Sequence, residues 1–366
     1  MKKLSVRQAA LLIAVVVPGG KYLSLPRNLA EQTGKDAWLV VLTCVVVDLL
    51  CLTAVLFAVR KNSKSLPLDK LLYGSVGKVV GKVVLAVLAV FFALRIVGQY
   101  GSIYALFAQT FGISANWLSF CVPLTVVALF VAMKGFPTIG RLNELLFLLV
   151  TVSLAALMIA PFGEISFDEL LPFAEEGFGK IFSAAFHFGF RFADYAFLYF
   201  VLDEIDVKKR LFAPILGAYA IAAFAVVFMY VVFIGIYGDM AQYVDVAMSR
   251  VSQFGTFGGA SGRLDWLFIT LWALSVFLKT AVFFHCLGKC VCKIFGVNGN
   301  KGKTAIYVAS SLVVLLPLLV STEDVLKWTS DCLAYPFAFV VYVLPFLTAF
   351  SAAKSQKRRG RVEQVA

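Results

Sequence analysis

Apolar runs of about 20 residues dominate the chain, and this is the length that an α-helix needs to cross a lipid bilayer. Charged residues are concentrated in the short segments between these runs. The pattern predicts ten membrane-spanning helices, near residues 8–31, 37–59, 78–110, 114–133, 142–161, 179–202, 211–237, 264–290, 304–321 and 331–352. We therefore expect an all-α integral membrane protein with a single transmembrane domain over residues 1–366.

The first predicted span is interrupted near its middle by Pro18, Gly19, Gly20 and Lys21. Proline removes a backbone donor and clashes with the preceding turn, while glycine adds backbone freedom. A backbone group freed inside the bilayer costs several kcal/mol unless a partner satisfies it. Discontinuous helices of this kind form the binding sites of many secondary transporters. A proline kink that only packs against its neighbours is the alternative, although the midplane charge of Lys21 then needs a partner or water.

Ten spans divide into two sets of five, and an odd number of spans per set places the two halves in opposite orientations. We assign residues 1–161 to a first five-helix repeat, 179–352 to a second, and 353–366 to a basic cytoplasmic tail. The sixth span then corresponds to the first. It also carries glycine and ionisable residues near its middle, so we expect a second interruption at Phe188 and Gly189.

The composition supports a membrane protein, because 61% of the 366 residues are hydrophobic and the mean hydropathy is +0.90. No soluble domain of this size has enough core to bury such a composition. The net charge of +12 is spread over short loops instead of one basic face, which argues against nucleic acid as a partner. Basic loops alternate with acidic ones along the chain, and the positive-inside rule predicts that both termini are cytoplasmic.

Two longer connections, 162–177 and 238–262, are predicted on the opposite side of the membrane. Four glycines near the end of the second indicate a mobile lid or surface loop.

The seven cysteines indicate buried thiols and not a disulfide framework. We expect no metal, no cofactor and no enzymatic activity, because no catalytic motif is present and no zinc-site spacing is matched by His285, Cys286, Cys290 and Cys292.

Charged residues inside the predicted spans are few, and each costs about 3 kcal/mol at mid-helix. They are Lys21, Arg27, Asp48, Arg95, Arg191, Asp194 and Lys279. Because basic residues outnumber acidic ones, and half-helix N-termini add positive potential, a cavity at this depth favours a carboxylate. We therefore expect a small ligand such as an amino acid. The candidate binding residues are Gly19, Gly20, Lys21, Tyr22, Arg95, Gln99, Phe188, Gly189, Arg191, Asp194, Trp272 and Lys279.

The pairing of these charges stays open in the sequence. Arg191 and Asp194 are three residues apart, so they can form a structural salt bridge on one helix face. Lys279 has no acid in its own span, which leaves Asp48, Asp194 or water as its partner. Asp48 can also be a single buried acid that stays protonated.

Four short motifs carry a family resemblance. They are Tyr22–Arg27, Gly34–Trp38, Gly140–Glu144 at the start of span 5, and Leu170–Phe173 with Gly177 before span 6. Together they resemble the endospore germination permease family, the B-type subunits of nutrient germinant receptors, within the amino acid/polyamine/organocation transporter superfamily.

The resemblance implies a LeuT-like bundle of two inverted five-helix repeats with broken helices 1 and 6. It also implies a spore germination protein of the spore inner membrane that binds a small germinant and acts with A-type and lipoprotein C-type subunits. The family usually has Gly-x-Gly in span 1 and an acid after glycine in span 6. This chain has Lys21 and Arg191 in those regions, so its ligand can differ from the usual ones.

Two functions remain after this comparison. The first is a germinant-sensing subunit that binds its ligand at the midplane and triggers germination. The alternative is a proton-coupled amino acid transporter, in which Asp48, Asp194 or Lys279 carries the proton. Sustained substrate uptake by the chain alone favours the alternative.

Overall fold

The computed structural model describes residues 3–61, 69, 72–73, 77–112, 117–202, 204–205, 211–254, 264–316, 337 and 342–350. Its helices are α1 (Val6–Val16), α2 (Leu25–Thr33), α3 (Ala37–Lys61), α4 (Lys78–Phe111), α5 (Trp117–Met133), α6 (Phe136–Ile159), α7 (Phe178–Phe192), α8 (Leu198–Val201), α9 (Phe212–Tyr237), α10 (Ala247–Ser252), α11 (Leu264–Phe295), α12 (Asn300–Leu315) and α13 (342–350). Short 3-10 helices lie at Gly34–Asp36, Phe162–Glu164, Phe167–Leu170, Asp194–Phe197 and Gly238–Tyr243.

The long helices coincide with the predicted spans. In the part of the chain that the structure describes, five stretches are long and apolar enough to cross a membrane: Leu25–Ala58, Lys78–Ala108, Phe136–Glu164, Phe212–Tyr243 and Ile269–Phe295. α6 begins earlier than predicted because Gly135, with a φ of +84°, forms the turn that starts it. The predicted tenth span lies mostly outside the described residues, with α13 as its described end.

The predicted interruption of span 1 is confirmed, because α1 ends at Val16 and α2 begins only at Leu25. Between them the chain forms a tight turn in which the Lys21 backbone N–H donates to Pro18 O at 3.1 Å. Gly20 has a φ of +81°, a conformation that glycine adopts without the strain felt by other residues. The interruption therefore follows from the proline and glycine residues that predicted it.

Span 6 is also interrupted, but the predicted position at Phe188 and Gly189 is wrong. α7 continues through both residues to Phe192, and the chain leaves the helix at Ala193, whose ψ is +43°. Gly189 instead makes room for a neighbouring side chain, because a Cβ atom there would lie 2.3 Å from the Tyr342 hydroxyl. The glycine permits the close approach of α13 and does not break α7.

The two breaks lie in the middle of the bundle, around α11. This helix packs against α4, α5, α6 and α12, and it also contacts α1 and the 3-10 helix Asp194–Phe197. On the other side, α3 packs against α7 and α9, and α9 packs against α1. Apolar side chains that point away from this core, such as Val126, Leu145 and Phe224, are well exposed and suited to contact lipid.

One end of the bundle is formed by residues 34–36, 162–177 and 238–253, and we call it the acidic face. Asp36 is buried there and accepts the backbone N–H groups of Ala174 and Glu176 at 2.9 and 3.2 Å. These bonds connect the turn between α2 and α3 to the loop that precedes α7.

The segment 238–253 also belongs to the acidic face, and it is more regular than the predicted lid or surface loop. α10 donates the backbone N–H groups of Ala247 and Met248 to Leu23 O and Tyr22 O at 3.2 and 2.9 Å. Arg27 forms an ion pair with Asp245 beside these bonds. The glycines on which the lid prediction rested lie outside the described residues.

The opposite end, formed by residues 3–5, 134–135, 204–205 and 289–303, is called the basic face. The Leu4 backbone N–H donates to Glu204 O at 2.9 Å, and the Lys289 ammonium lies 2.5 Å from Glu204 Oε1. The Leu4 side chain fits against Gly140, where a Cβ atom would be only 2.4 Å from it. Contacts between segments far apart in the chain are thus present at both ends of the bundle.

Candidate functional site

Asp194 is the centre of a buried charge cluster between the two breaks. It is the first residue of the 3-10 helix that follows α7, and only 1% of its surface is exposed. Its carboxylate pairs with the Lys21 ammonium, the Arg95 guanidinium and the Lys279 ammonium, the last at 3.0 Å. The sequence predicted each of these residues as part of the site, and the structure brings all four together.

Two of the three cations also bind carbonyl groups at the first break. The Lys21 ammonium donates to Val17 O at 2.6 Å, and the Lys279 ammonium donates to Gly19 O at 2.7 Å. Both ammonium groups lie near aromatic rings, with Lys21 5.3 Å from the ring centroid of Phe192. Their burial is therefore matched by hydrogen bonds and by one shared carboxylate.

Arg95 of α4 makes the equivalent contact at the second break. Its guanidinium donates to the backbone carbonyl of Arg191, near the C-terminus of α7, as well as to Asp194. At each break, therefore, a side-chain cation donates a hydrogen bond to a backbone carbonyl near the C-terminus of a half-helix. The helix dipole places partial negative charge at this end.

The electrostatic balance of the cluster is positive. Three cations face one carboxylate and the C-termini of two half-helices, each equivalent to roughly half a negative charge. With all three cations charged and Asp48 protonated, an excess of about one positive charge remains among buried residues, where a charge interacts more strongly than it does in solution. An anionic group is the complement of such a region.

Polar atoms without a hydrogen-bond partner among the described residues surround the first break. They are Tyr22 Oη, Gln99 Nε2, Trp272 Nε1 and Ser275 Oγ, all on buried side chains. The Gln99 amide touches Gly20, the rings of Tyr22 and Trp272 lie 6.1 Å apart, and the Ser275 carbonyl lies against Gly19. Because a buried polar group without a partner costs free energy, these atoms are hydrogen-bonding groups that the described residues leave unsatisfied next to the charge cluster.

Ser275 was missed by the sequence reasoning. It precedes Lys279 by four residues and follows Trp272 by three, so all three lie on one face of α11. That spacing was the available signal, but a serine within an apolar span carries no charge and so was not noticed.

Arg191 and Asp194 do not share a helix face, so the salt bridge that their spacing allowed is not formed. α7 ends between the two residues, so Asp194 turns toward α4 and α11. The Arg191 guanidinium lies over the rings of Phe188 and Phe190 at 5.7 and 5.8 Å. Phe188, Gly189 and Arg191 therefore belong to α7 itself, whereas Asp194 belongs to the break.

Asp48 lies in a separate buried position beside the cluster. One of its oxygen atoms accepts a hydrogen bond from the Tyr219 hydroxyl of α9 at 2.8 Å. The other oxygen has no hydrogen-bond partner among the residues that the structure describes, and the side chain is fully buried. Asp48 also interacts electrostatically with Lys21 and Asp194, so its ionisation changes the charge balance of the site.

Comparison with known proteins supports this architecture. The model of a family described as "Spore germination protein" matches residues 3–324. The crystal structure of MhsT in complex with L-phenylalanine is similar in fold, with a TM-score of 0.62 and 12% sequence identity, and the match covers 96% of each chain. No curated protein matches the chain.

These findings define the class of protein. The broken helices, the apolar spans and the similarity to MhsT identify a multi-pass integral membrane protein with a LeuT-like fold, which is a fold of permeases and transporters. Within this class, the chain belongs to the spore germination protein family. It is accordingly a permease-like germination protein.

Proposed function

We propose that this chain is the membrane subunit of a nutrient germinant receptor and that it binds a small carboxylate-bearing germinant, an amino acid, between its two broken helices. The observation that carries the proposal is the set of buried, unpartnered polar atoms around Gly19 and Gly20, next to a cluster with excess positive charge. The ligand carboxylate would face the cations, and the side chain would lie against Tyr22 and Trp272. MhsT, which shares the fold, was crystallised with L-phenylalanine.

The binding test uses the purified full-length protein and a panel of L-amino acids that includes L-phenylalanine. Tyr22→Phe removes only the hydroxyl, and Trp272→Phe removes the indole N–H together with part of the ring system while keeping an aromatic side chain. We expect each variant to weaken the Kd of a binding amino acid about 3- to 10-fold, the value of one hydrogen bond. Tyr243→Phe, on the acidic face, and Trp38→Phe, whose ring packs against Phe173 of that face, are the matched controls and should bind as the wild type does.

Calorimetry decides the outcome. If no amino acid gives a heat of binding or a thermal shift with the wild type, the proposed ligand class is wrong. If an amino acid binds with equal affinity to the site variants and to the controls, the ligand lies elsewhere in the protein.

The receptor assignment also implies partners and a location. The chain would act with A-type and C-type subunits in the spore inner membrane, with both termini on the core side. Family membership supports this part of the proposal. Co-purification of the two subunits with a tagged chain from spore membranes is the test, and isolation of the chain alone would argue against a receptor complex.

A second candidate function is proton-coupled amino acid transport, and the environment of Asp48 favours it. A fully buried carboxyl with one hydrogen-bond donor is stable in its protonated form. Loss of the proton would add a negative charge beside Lys21 and reduce the excess positive charge that holds an anion. Uptake of a radiolabelled amino acid by proteoliposomes under a pH gradient, lost in Asp48→Asn, would support transport, and binding without uptake would support sensing.

A further inference from the structure

The backbone carbonyls at the first break accept hydrogen bonds from two kinds of donor. Tyr22 O and Leu23 O accept backbone N–H groups from α10, and Lys21 O accepts the Tyr230 hydroxyl at 2.9 Å. Val17 O and Gly19 O instead accept from the Lys21 and Lys279 ammonium groups. These two carbonyls differ from the others because their donors are lysine side chains.

Carbonyl groups freed by a broken membrane helix are general ligands for monovalent cations, and in many transporters they bind the coupling sodium ion. An ammonium ion satisfies the same oxygen atoms with the same charge. The Lys279 ammonium has Gly19 O at 2.7 Å and Asp194 Oδ2 at 3.0 Å, so it lies between a break carbonyl and a carboxylate. This combination of oxygen donors is one that a free cation would need.

The aliphatic part of the Lys279 side chain packs against the turn at the first break. A Cβ atom at Gly19 would lie 3.5 Å from Lys279 Cδ and 3.3 Å from the Ser275 carbonyl, so α11 presses directly on the turn. Lys21 plays a more local part, because its ammonium returns to the carbonyl four residues earlier in its own chain segment. Lys279 instead connects α11 to both breaks.

A free cation in this position would be repelled. Lys21, Arg95 and Lys279 already surround the single carboxylate, and like charges a few ångströms apart in a region of low dielectric constant repel strongly. We propose that the Lys279 ammonium, supported by Lys21, is a built-in substitute for the alkali cation of this fold, and that the protein needs no sodium to assemble its site. This role of Lys279 does not depend on which ligand the protein binds.

The test compares the thermal stability of the purified full-length protein in sodium, potassium and N-methyl-D-glucamine chloride at equal ionic strength. A cation that binds the folded state raises Tm, whereas a protein with a built-in cation gains nothing. We expect the wild-type Tm to be the same in all three salts.

Lys279→Ser removes the ammonium and leaves space and oxygen atoms at the same place. Its Tm should be low in N-methyl-D-glucamine and should rise by about 2 °C or more in sodium or in ethylammonium chloride. Lys180→Ser removes a half-exposed lysine that pairs with Glu176, and it should show no dependence on the cation. If Lys279→Ser cannot be purified, Lys21→Ser is measured in the same way.

Two results would overturn the proposal. One is a wild-type protein that is more stable in sodium than in N-methyl-D-glucamine. The other is a folded lysine variant that responds to neither sodium nor ethylammonium, because the lysine then fills no cation site. Neither measurement uses an amino acid, so failure here is separate from failure of the proposed ligand binding.

Discussion

At the scale of single residues, Asp194 is the group on which the site depends most, because one carboxylate faces three buried cations. The cost of burying charge singled out Lys21, Arg95, Asp194 and Lys279 in the sequence, and the structure places their side chains in one buried cluster. Their pairing was not predictable. It depends on where α7 ends, since a shift of the break by one turn would direct Asp194 to other neighbours.

Asp194→Asn keeps the size of the side chain and removes its charge. We expect a loss of roughly 3–5 kcal/mol in folding stability, because three buried cations lose their shared partner. The measurement is the Tm and the yield of folded protein after purification. Asp239→Asn, at an exposed position of the acidic face, is the control and should retain the wild-type Tm.

Gly20 is the second residue whose role is specific. Gly20→Ala should cost about 1–3 kcal/mol, because the backbone has a positive φ and the new Cβ atom would lie 2.2 Å from Gln99 Nε2. Adding Gln99→Ala should recover the steric part of the loss and not the backbone part. Gly217→Ala, inside α9 with open space around the new Cβ atom, should be neutral or slightly stabilising in the same thermal melt. A neutral Gly20→Ala would show that the turn has another conformation.

At the scale of elements, the two breaks show what glycine can and cannot predict. In span 1, proline and glycine act together and interrupt the helix, as their backbone chemistry requires. In span 6, Gly189 stays helical because a single glycine weakens a helix by only about 1 kcal/mol. Glycine is needed at position 189 because the Tyr342 side chain packs directly against it. This is a tertiary contact, so the local sequence pattern does not reveal it.

Gly189→Ala tests this explanation. The new methyl group would meet the Tyr342 hydroxyl at 2.3 Å and force α7 and α13 apart, so we expect a loss of about 1–3 kcal/mol in stability. Gly179→Ala, in the same helix with open space around it, should be neutral or slightly stabilising. Equal Tm values for the two variants would remove Tyr342 as the reason for the glycine.

α10 is an element that the sequence did not predict. The glycines that follow it in the sequence indicated a flexible loop, and the helix is only six residues long, which is too short for a clear periodic pattern. Its position is set by backbone hydrogen bonds to Tyr22 and Leu23, which depend on the broken conformation of span 1. Such a contact exists only once both partners are folded, so a pattern read along the chain cannot show it.

At the scale of the whole molecule, the fold class followed from the length and number of the apolar runs, and the similarity to MhsT agrees with it. The assignment of residues 1–161 and 179–352 to two repeats stays a prediction, as do the cytoplasmic termini. The apolar pattern could not show the contacts at the two ends of the bundle, because these contacts join segments far apart in the chain.

The basic face has a pH dependence that can be measured. Burial acts to raise the pKa of Glu204, but His285, 3.6 Å away, and the Lys289 ammonium outweigh it and lower the pKa to about 2. This value lies below the unfolded value of about 4.3, so ionised Glu204 contributes stability above pH ~4 that is lost as the pH falls toward 2.

Glu204→Gln should therefore lower the stability by roughly 2–3 kcal/mol at neutral pH, with a shrinking difference from the wild type below pH ~4. Thermal melts of both proteins across this pH range provide the measurement. Glu175→Gln, at an exposed position on the acidic face, is the control and should follow the wild type throughout. A difference that stays constant down to low pH would mean that the Glu204 charge does not hold the basic face together.

The two ends of the bundle differ in how much water reaches their ion pairs. Arg27 and Asp245 keep 36% and 45% of their side-chain exposure, whereas Lys289 and Glu204 keep 19% and 23%. Dissolved salt weakens exposed pairs far more than sheltered ones. Raising the ionic strength should thus weaken the Arg27–Asp245 pair more than the Lys289–Glu204 pair, so that the acidic face loosens at a lower salt concentration than the basic face.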